Sequence, residues 1–255
     1  MRIQKYLLWL LVLLLALDLP AQLTAASAEN IRLIAVHPSD PDAFTQGLEC
    51  DEEGRLFLAT GLHGASRIGI LNLRSGAYEA LVHLDKTYFG EGITFAKNGL
   101  WQLTWQEHVA FLRDKQNLKV KKSVPHENEG WGIAYWKDKD VLLVSDGSAR
   151  ICLRDAESFA LLDSFTLESP MLNELEYADG YLYANIWLSS KILKIDLSQR
   201  KTVAVYDFSE LLASLELSPQ ARARMDVLNG IAHIENQRFY VTGKHYPVVL
   251  EVELE

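Results

Sequence analysis

Cysteine is scarce in this sequence, with only Cys50 and Cys152 among 255 residues. A single disulfide cannot stabilise a chain of this length, so the stability of the protein must come from a hydrophobic core. The repeats described below place the two cysteines on different structural units, too far apart to pair easily. We therefore expect both to be free and to behave as buried apolar residues.

Basic residues are also in deficit. The chain has 25 lysines and arginines against 34 aspartates and glutamates, a net charge of −9. A protein that binds nucleic acid normally carries a basic patch or stripe, and none is present in this sequence. A nucleic-acid partner is therefore not expected.

Two common catalytic signatures are missing. The seven histidines include no HxxH-type pair or other metal-binding spacing, so a zinc site is not indicated. No GxSxG motif is present, so a serine nucleophile is not supported either. We expect neither a metal nor any other cofactor.

The one long apolar run lies at the N-terminus, over residues 7–17. Two basic residues precede it and a stretch of small residues ending at Ala28 follows it, which is the layout of a secretory signal peptide. An uncleaved membrane anchor is the alternative, but the run is short for a span and Asp18 interrupts it. We expect residues 1–28 to be a cleaved signal peptide and the protein to be exported, periplasmic or secreted, without membrane attachment.

Five segments of the remaining sequence share one pattern. Each has a polar or aromatic residue, usually followed by glycine and an aliphatic residue, then a short strand, a turn and a strongly apolar strand. They are TQGLECDEEGRLFLATG from Thr45, FGEGITFAKNGLWQLTW from Phe89, GWGIAYWKDKDVLLVSDG from Gly130, LNELEYADGYLYANIW from Leu172 and LNGIAHIENQRFYVTGK from Leu228. The equivalent positions are 45, 40, 42 and 56 residues apart: Gly47, Gly92, Gly132, Glu174 and Gly230. Periods in the forties with several strands each are typical of propeller blades.

Two further apolar segments after each of the first four repeats supply a third and a fourth strand. The fifth repeat ends at Glu255 without a fourth strand, and the unused segment 31–38, IRLIAVHP, would fill that place and close the ring. The sequence therefore predicts an all-β fold, a single five-bladed β-propeller over residues 29–255. The long last interval contains one short helical insertion between blades four and five, for which Ser209 is the expected N-cap and Pro219 an interruption.

The propeller geometry brings separate parts of the chain to one mouth of the central channel. In each blade the start of the first strand and the end of the second lie on the same face, because the two strands are antiparallel neighbours. The strand starts contribute Gln46, Glu91, Trp131, Asn173 and Asn229, and the strand ends contribute Gly61, Trp105, Asp146, Trp187 and Lys244. Two carboxylates, one ammonium, three amides and three indoles should therefore meet there.

Glu91 is the most informative of these residues. Gly90 and Gly92 flank it and are expected to leave room for a ligand to approach. Phe89 and Trp105 would shield the carboxylate from water and so raise its pKa. A raised pKa suits proton transfer near neutral pH.

Each of these residues also has an ordinary interpretation. Glu91 could be a solvated loop carboxylate, Lys244 a solubilising charge and each tryptophan a packing residue. The mouth could belong to a propeller that only binds a sugar or peptide, or to a calcium-dependent, lactonase-like propeller that uses Glu91, Asp146, Asn173 and Asn229 as oxygen ligands.

A set of motifs distributed over every blade resembles the glutaminyl-peptide cyclotransferases of the plant and bacterial type, the glutamine cyclotransferase family. The motifs are FTQGLE, YFGEGIT, LTWQ, EGWGIAY, SDGS, LNELEY, ANIW, LNGIA and TGKHYP. The resemblance implies a five-bladed propeller that converts N-terminal glutamine of peptides or proteins to pyroglutamate with release of ammonia, without a catalytic metal, and we expect a monomer. By the same resemblance Glu91 is the proton-transferring residue and Lys244 the site lysine. The implied pocket residues are Phe44, Gln46, Phe89, Trp105, Trp131, Asn173 and Trp187.

Overall fold

The computed structural model describes residues 30–255 and a short strand, β1 (Ala25–Ala26). The predicted signal peptide, residues 1–28, lies outside the described residues except for β1. Within the described part of the chain, no helix is both long and apolar enough to cross a bilayer.

Five sheets form the molecule, each with four antiparallel strands that run from the central axis outward, and β1 adds a fifth, outermost strand to one of them. Blade 1 contains β3 (Thr45–Cys50), β4 (Leu56–Thr60), β5 (Arg67–Leu71) and β6 (Tyr78–His83). Blade 2 contains β7 (Gly90–Ala96), β8 (Gly99–Thr104), β9 (Val109–Arg113) and β10 (Val120–Pro125). Blade 3 contains β11 (Ile133–Trp136), β12 (Val141–Ser145), β13 (Arg150–Asp155) and β14 (Leu161–Thr166). The five-bladed, all-β fold predicted from the repeats is confirmed.

The remaining two blades use strands from near the N-terminus. Blade 4 contains β15 (Leu172–Ala178), β16 (Tyr181–Ile186), β17 (Lys191–Asp196) and β18 (Lys201–Asp207), and β1 pairs in parallel with β18. Blade 5 contains β19 (Leu228–Glu235), β20 (Arg238–Gly243), β21 (Val248–Leu254) and β2 (Ile31–Pro38). The strand β2 pairs antiparallel with β21, from Ile31 opposite Leu254 to Pro38 opposite Val248, so it is the outer strand of this blade.

The core lies between the faces of neighbouring blades. Between blades 2 and 3, for example, Trp101 packs against Phe159 with 4.9 Å between ring centroids, and its indole N–H donates to the carbonyl of Ala156 at 3.0 Å. Cys152 is buried in the same cluster, whereas Cys50 on β3 is half-buried, and both are free thiols. The expectation of full burial is therefore right for Cys152 only.

Glycines allow the innermost strands to approach one another closely. A Cβ atom on Gly47 would lie 2.7 Å from the Ile93 nitrogen, and one on Gly92 would lie 2.7 Å from the Trp131 carbonyl oxygen. Real Cβ atoms do not come so near to backbone, so an alanine at either position would force neighbouring blades apart. The glycines in the repeat are thus required by contact between blades.

Glu174 occupies the equivalent position in blade 4, where the repeat has no glycine. Its two carboxylate oxygens accept hydrogen bonds from Leu48 N at 3.3 Å and Ile231 N at 2.9 Å. The side chain therefore links blade 4 to blades 1 and 5 at the axis. Burial raises the pKa of Glu174 well above its usual range, against the effect of these two backbone hydrogen bonds.

The insertion between blades 4 and 5 contains two helices, α1 (Ser209–Ser214) and α2 (Pro219–Arg224). The expected N-cap at Ser209 is wrong: Phe208 is the N-cap of α1, and the Ser209 N–H donates instead to Asp207 Oδ1 at 3.0 Å. Pro219 begins α2, because proline suits the first helical position and the Ser218 hydroxyl before it accepts from Ala221 N at 3.1 Å.

We expect Glu174→Gln to lower the free energy of unfolding by about 1–3 kcal/mol, because the amide NH₂ would face a backbone N–H that now donates to a carboxylate oxygen. Urea unfolding followed by circular dichroism measures this change. The control Glu168→Gln alters an exposed carboxylate on the surface and should stay within about 0.5 kcal/mol of the parent. Equal stability of the two variants would contradict the bridging role of Glu174.

Candidate active site

Backbone hydrogen bonds bring the starts of the inner strands and the ends of the second strands together at one mouth of the channel. Trp105 N donates to the Phe89 carbonyl at 3.1 Å, and Gly61 N donates to the Phe44 carbonyl at 2.9 Å. In the last blade Lys244 N donates to the Val227 carbonyl at 2.9 Å. The predicted convergence of these segments on one face is therefore present in the structure.

The chain turns sharply after four of the five strand-end residues named in the sequence analysis. The residues that follow have positive φ angles: Leu62 at 83°, Gly147 at 77°, Leu188 at 61° and His245 at 60°. This backbone conformation is uncommon for residues other than glycine and occurs mainly in tight turns. It ends each second strand abruptly, so that Trp187 and Lys244 stand at the rim of the channel.

Glu91 is almost fully buried, with 3% of its surface exposed. Its Oε1 accepts a hydrogen bond from Gln46 Nε2 at 2.8 Å, and Gln46 Oε1 in turn accepts one from Asn229 Nδ2 at 3.0 Å. These three side chains come from blades 2, 1 and 5 and form a chain of hydrogen bonds. Glu91 Oε2 is buried and has no partner among the described residues. One carboxylate oxygen is thus held in place while the other is free to exchange a proton.

Burial raises the pKa of Glu91 well above its usual range. The charge of Lys244 and the hydrogen bond from Gln46 oppose this shift, while the nearby charges of Glu107 and Glu129 add to it. Lys244 is 5% exposed, and burial lowers its pKa, although Glu91 and Asp226 favour its charged form. The site therefore brings the proton affinities of an acid and an amine closer together.

Aromatic side chains cluster at the same mouth of the channel. The ring of Phe44 lies edge-on to Phe89, with centroids 6.1 Å apart, and Phe89 is 5.4 Å from Trp105. Lys244 Nζ lies 4.5 Å from the centroid of Phe44, within the range of a cation–π contact. On the other side Trp131 and Trp187 meet edge to face at 5.5 Å. The six predicted aromatic and cationic residues thus form two contacting groups, Phe44 with Phe89, Trp105 and Lys244, and Trp131 with Trp187.

Asn173 and Asp146 differ in what they offer a ligand. Asn173 is 1% exposed, and its Oδ1 has no partner in the described part of the chain. Asp146 already accepts hydrogen bonds from Ser148 N at 3.1 Å and from Asn128 Nδ2 at 2.9 Å. Among residues 30–255, no group of three or more histidine, cysteine, aspartate or glutamate side chains is arranged to hold a metal ion.

The glycines beside Glu91 do not have the role expected from the sequence. A Cβ atom on Gly90 would lie 2.7 Å from the Thr60 carbonyl oxygen, and Gly92 N donates to the Trp131 carbonyl at 2.8 Å. Both residues therefore face neighbouring strands. They hold Glu91 close to the adjacent blades, and this crowding contributes to its burial.

Glu129 is a site residue that the sequence analysis did not identify. Its Oε2 accepts hydrogen bonds from both indoles, from Trp105 Nε1 at 2.8 Å and from Trp131 Nε1 at 3.0 Å. Its Oε1 accepts one from Gln106 Nε2 at 2.9 Å. Burial disfavours the charge, but these hydrogen bonds prevail and hold the pKa of Glu129 below its usual range. The residue stands in the motif EGWGIAY, so the carboxylate two positions before Trp131 was the available signal.

Glu107 has a similar position on the neighbouring turn. Its Oε2 accepts from Phe89 N at 3.1 Å, and its Oε1 is 2.8 Å from His63 Nε2. Glu107 therefore fixes the backbone of one aromatic residue, whereas Glu129 fixes the rings of two others.

A model of the family described as glutamine cyclotransferase matches residues 7–254. The chain belongs to the glutamine cyclotransferase family. It is 37% identical over 233 residues to the glutaminyl-peptide cyclotransferase of Arabidopsis thaliana, a match that covers 89% of this chain and 72% of that protein. The crystal structure of Myxococcus xanthus glutaminyl cyclase superposes with a TM-score of 0.75 at 32% identity, covering 88% of this chain and 96% of that one.

More distant propellers share only the fold. A catalytically inactive variant of virginiamycin B lyase from Staphylococcus aureus is 16% identical and superposes with a TM-score of 0.50, covering 85% of this chain and 68% of that one. Membership of the family therefore depends on the sequence match and on the Myxococcus structure.

We expect Glu129→Gln to weaken the hydrogen bonds from the Trp105 and Trp131 indoles, because a neutral amide oxygen is a poorer acceptor than a carboxylate. It should also lower the pKa of Glu91, since a negative charge that now raises it would be lost. In ¹⁵N-labelled protein the indole N–H resonances of these two tryptophans should move upfield, and the carboxyl carbon of Glu91 should titrate at lower pH. The matched variant Glu107→Gln removes a similar charge but leaves both indole bonds intact. It should lower the pKa of Glu91 without moving the two indole resonances, and an identical response of both variants would contradict the role given to Glu129.

Proposed function

We propose that the protein converts the N-terminal glutamine of peptides and proteins to pyroglutamate with release of ammonia. The observation that carries this proposal is the buried Glu91, whose free Oε2 stands at a mouth that also holds Lys244, in a member of this family. We further propose that the enzyme acts as a metal-independent monomer, is exported to the periplasm or secreted after removal of residues 1–28, and has no nucleic-acid partner.

The reaction joins the α-amine nitrogen of glutamine to its own side-chain amide carbon. The neutral amine attacks, the amide oxygen becomes an oxyanion, and the new C–N bond closes the five-membered ring. The attacking nitrogen must then lose a proton and the departing nitrogen must gain one, because ammonia is a far better leaving group than amide ion. The products are the pyroglutamyl peptide and ammonia.

Glu91 has the placement and proton affinity to carry this proton. As a carboxylate it accepts the proton from the attacking amine at Oε2, and it then donates the same proton to the leaving nitrogen. Gln46 and Asn229 keep the opposite oxygen in place, so the carboxyl group does not rotate between the two transfers. A raised pKa makes the Glu91 carboxylate a stronger base for the first transfer than an ordinary glutamate, and it keeps the proton on Glu91 near neutral pH until the second transfer.

Lys244, together with Asn173 or Gln46, would stabilise the oxyanion. The ammonium of Lys244 supplies positive charge in a buried setting, where such charge acts strongly. Gln46 donates one of its two amide N–H groups to Glu91, so the second donor to the oxyanion is Asn173 or the remaining N–H of Gln46. The side chains of Phe44, Phe89, Trp105, Trp131 and Trp187 would exclude water and orient the glutamine side chain.

Replacing Glu91 by glutamine should lower kcat by about a hundredfold to ten-thousandfold, since positioned proton transfer contributes this much. The measurement is ammonia release from a glutamine-initiated peptide, with circular dichroism to show that the fold is intact. The exposed control Glu168→Gln should retain parental turnover. A folded Glu91→Gln protein with near-parental kcat would refute the role of Glu91, and peptide binding by the parent without ammonia release would favour a binding protein.

The same assay in the presence of EDTA tests the metal-independent reaction. We expect turnover to be unchanged by the chelator, because proton transfer and oxyanion stabilisation are both assigned to protein side chains. Loss of turnover that calcium restores would overturn this proposal and support the lactonase-like alternative.

The pH dependence provides a separate test of the pairing between Glu91 and Lys244. The charge of Lys244 lowers the pKa of Glu91, so Lys244→Met should raise it further. Because the reaction needs Glu91 as a carboxylate, the acid limb of the kcat/KM profile should move to higher pH, beyond the general loss of rate. Lys201→Met, an exposed lysine on β18, is the control and should leave the profile in place. An acid limb that moves to lower pH in Lys244→Met would contradict this electrostatic coupling.

A further inference from the structure

A surface cavity of about 370 Å³ lies between the helical insertion and the rim of blades 4 and 5. Leu188 lines it on the side of blade 4, Leu212 and Met225 line it on the side of the insertion, and Tyr246 and Asp226 complete it. The catalytic chemistry proposed above does not use this cavity. Its volume is suited to one large side chain, not to a whole peptide.

Residues that line the cavity are close neighbours of candidate active-site residues along the chain. Leu188 directly follows Trp187, and Tyr246 lies two residues after Lys244. The segment that contains Asp226 pairs with Lys244 on both sides: Asp226 N donates to the Lys244 carbonyl at 2.9 Å, and Lys244 N donates to Val227 at 2.9 Å. The cavity therefore adjoins the part of the mouth that holds Trp187 and Lys244.

Leu188 is unusual in both exposure and conformation. It is 67% exposed and has a φ angle of 61°, a conformation that costs a non-glycine residue free energy. A turn that needed only this backbone shape would be better served by glycine or asparagine. The leucine places an apolar side chain at the rim, beside Trp187, where the substrate chain would leave the mouth.

The opposite wall of the cavity is fixed in place before any substrate arrives. Arg222 of α2 donates to the carbonyl oxygens of Leu212 at 2.9 Å and Leu215 at 2.5 Å, which ties the two helices together. Arg224 forms an ion pair with Asp42 at 2.5 Å and so joins α2 to the segment before blade 1. A wall that does not have to be ordered on binding loses less conformational entropy.

We propose that this cavity is the subsite for the residue that follows glutamine in the substrate, and that it favours a large apolar side chain. The inference rests on the proposed function, since it identifies which glutamine-initiated peptides the same site accepts. Leu188, Leu212 and Met225 supply the apolar contacts. The exposed carboxylate of Asp226 disfavours an acidic residue at this position by charge repulsion.

The test compares three peptides that differ only in the second residue, Gln-Phe, Gln-Gly and Gln-Asp, each extended by the same amidated tail. For the parent protein, kcat/KM should be highest for the phenylalanine peptide and lowest for the aspartate peptide. Leu188→Asn keeps a residue that tolerates positive φ, and Met225→Ala shortens the facing wall. Each variant should lower the ratio of kcat/KM for the phenylalanine peptide over the glycine peptide, by roughly tenfold.

Two further variants complete the experiment. Leu162→Asn, on the outer strand of blade 3 and 57% exposed in the parent, should leave the ratio unchanged. Asp226→Asn should raise kcat/KM for the aspartate peptide relative to the glycine peptide. Parental ratios in both Leu188→Asn and Met225→Ala would overturn the subsite while all peptides still release ammonia. Absence of ammonia release from every peptide would overturn the proposed function itself, so the two failures are distinguishable.

Discussion

The close approach of the inner strands around the axis is the constraint on which the rest of this structure depends. Gly47 and Gly92 face the backbone of the next blade at distances where no other residue fits without displacement. Five strands packed this tightly leave little freedom in the angle between blades, because backbone contacts are stiffer than side-chain contacts. Glu174 reinforces the ring by hydrogen bonding across the axis to blades 1 and 5.

This ring determines the electrostatics of the mouth. The hydrogen-bonded chain of Asn229, Gln46 and Glu91 crosses three blades, so its distances are set by how the blades meet. The same crowding buries Glu91 and Lys244, raising the pKa of the acid and lowering that of the amine. Proton affinities that suit catalysis are therefore a consequence of blade packing as much as of the residues themselves.

The sequence predicted those parts of the site that follow from strand order. Antiparallel pairing and the number of blades were enough to place Glu91, Trp105 and Lys244 at one mouth, because together they determine which strand ends share a face. Glu129 could not be found this way, since it precedes its strand and its direction depends on the turn that leads into Trp131. The role of Gly92 was also hidden: a glycine beside a carboxylate suggests room for a ligand, and only the facing strand shows that the space is already filled. Ser209 was misjudged as the N-cap of α1 because the nearby Asp207 accepts the exposed N–H instead.

The long interval between blades 4 and 5 is best understood from the geometry of the mouth. A rigid ring that recognises one glutamine side chain has no means of its own to discriminate among the residues that follow, which project beyond the channel. Contacts with those residues have to come from segments that rise above the rim. The insertion lines a cavity together with Leu188 and Tyr246, which stand close to Trp187 and Lys244 along the chain. Arg222 ties its two helices to each other, and Arg224 anchors α2 to Asp42. An insertion placed and braced in this way changes the selectivity of the site without disturbing the blade contacts that set its chemistry.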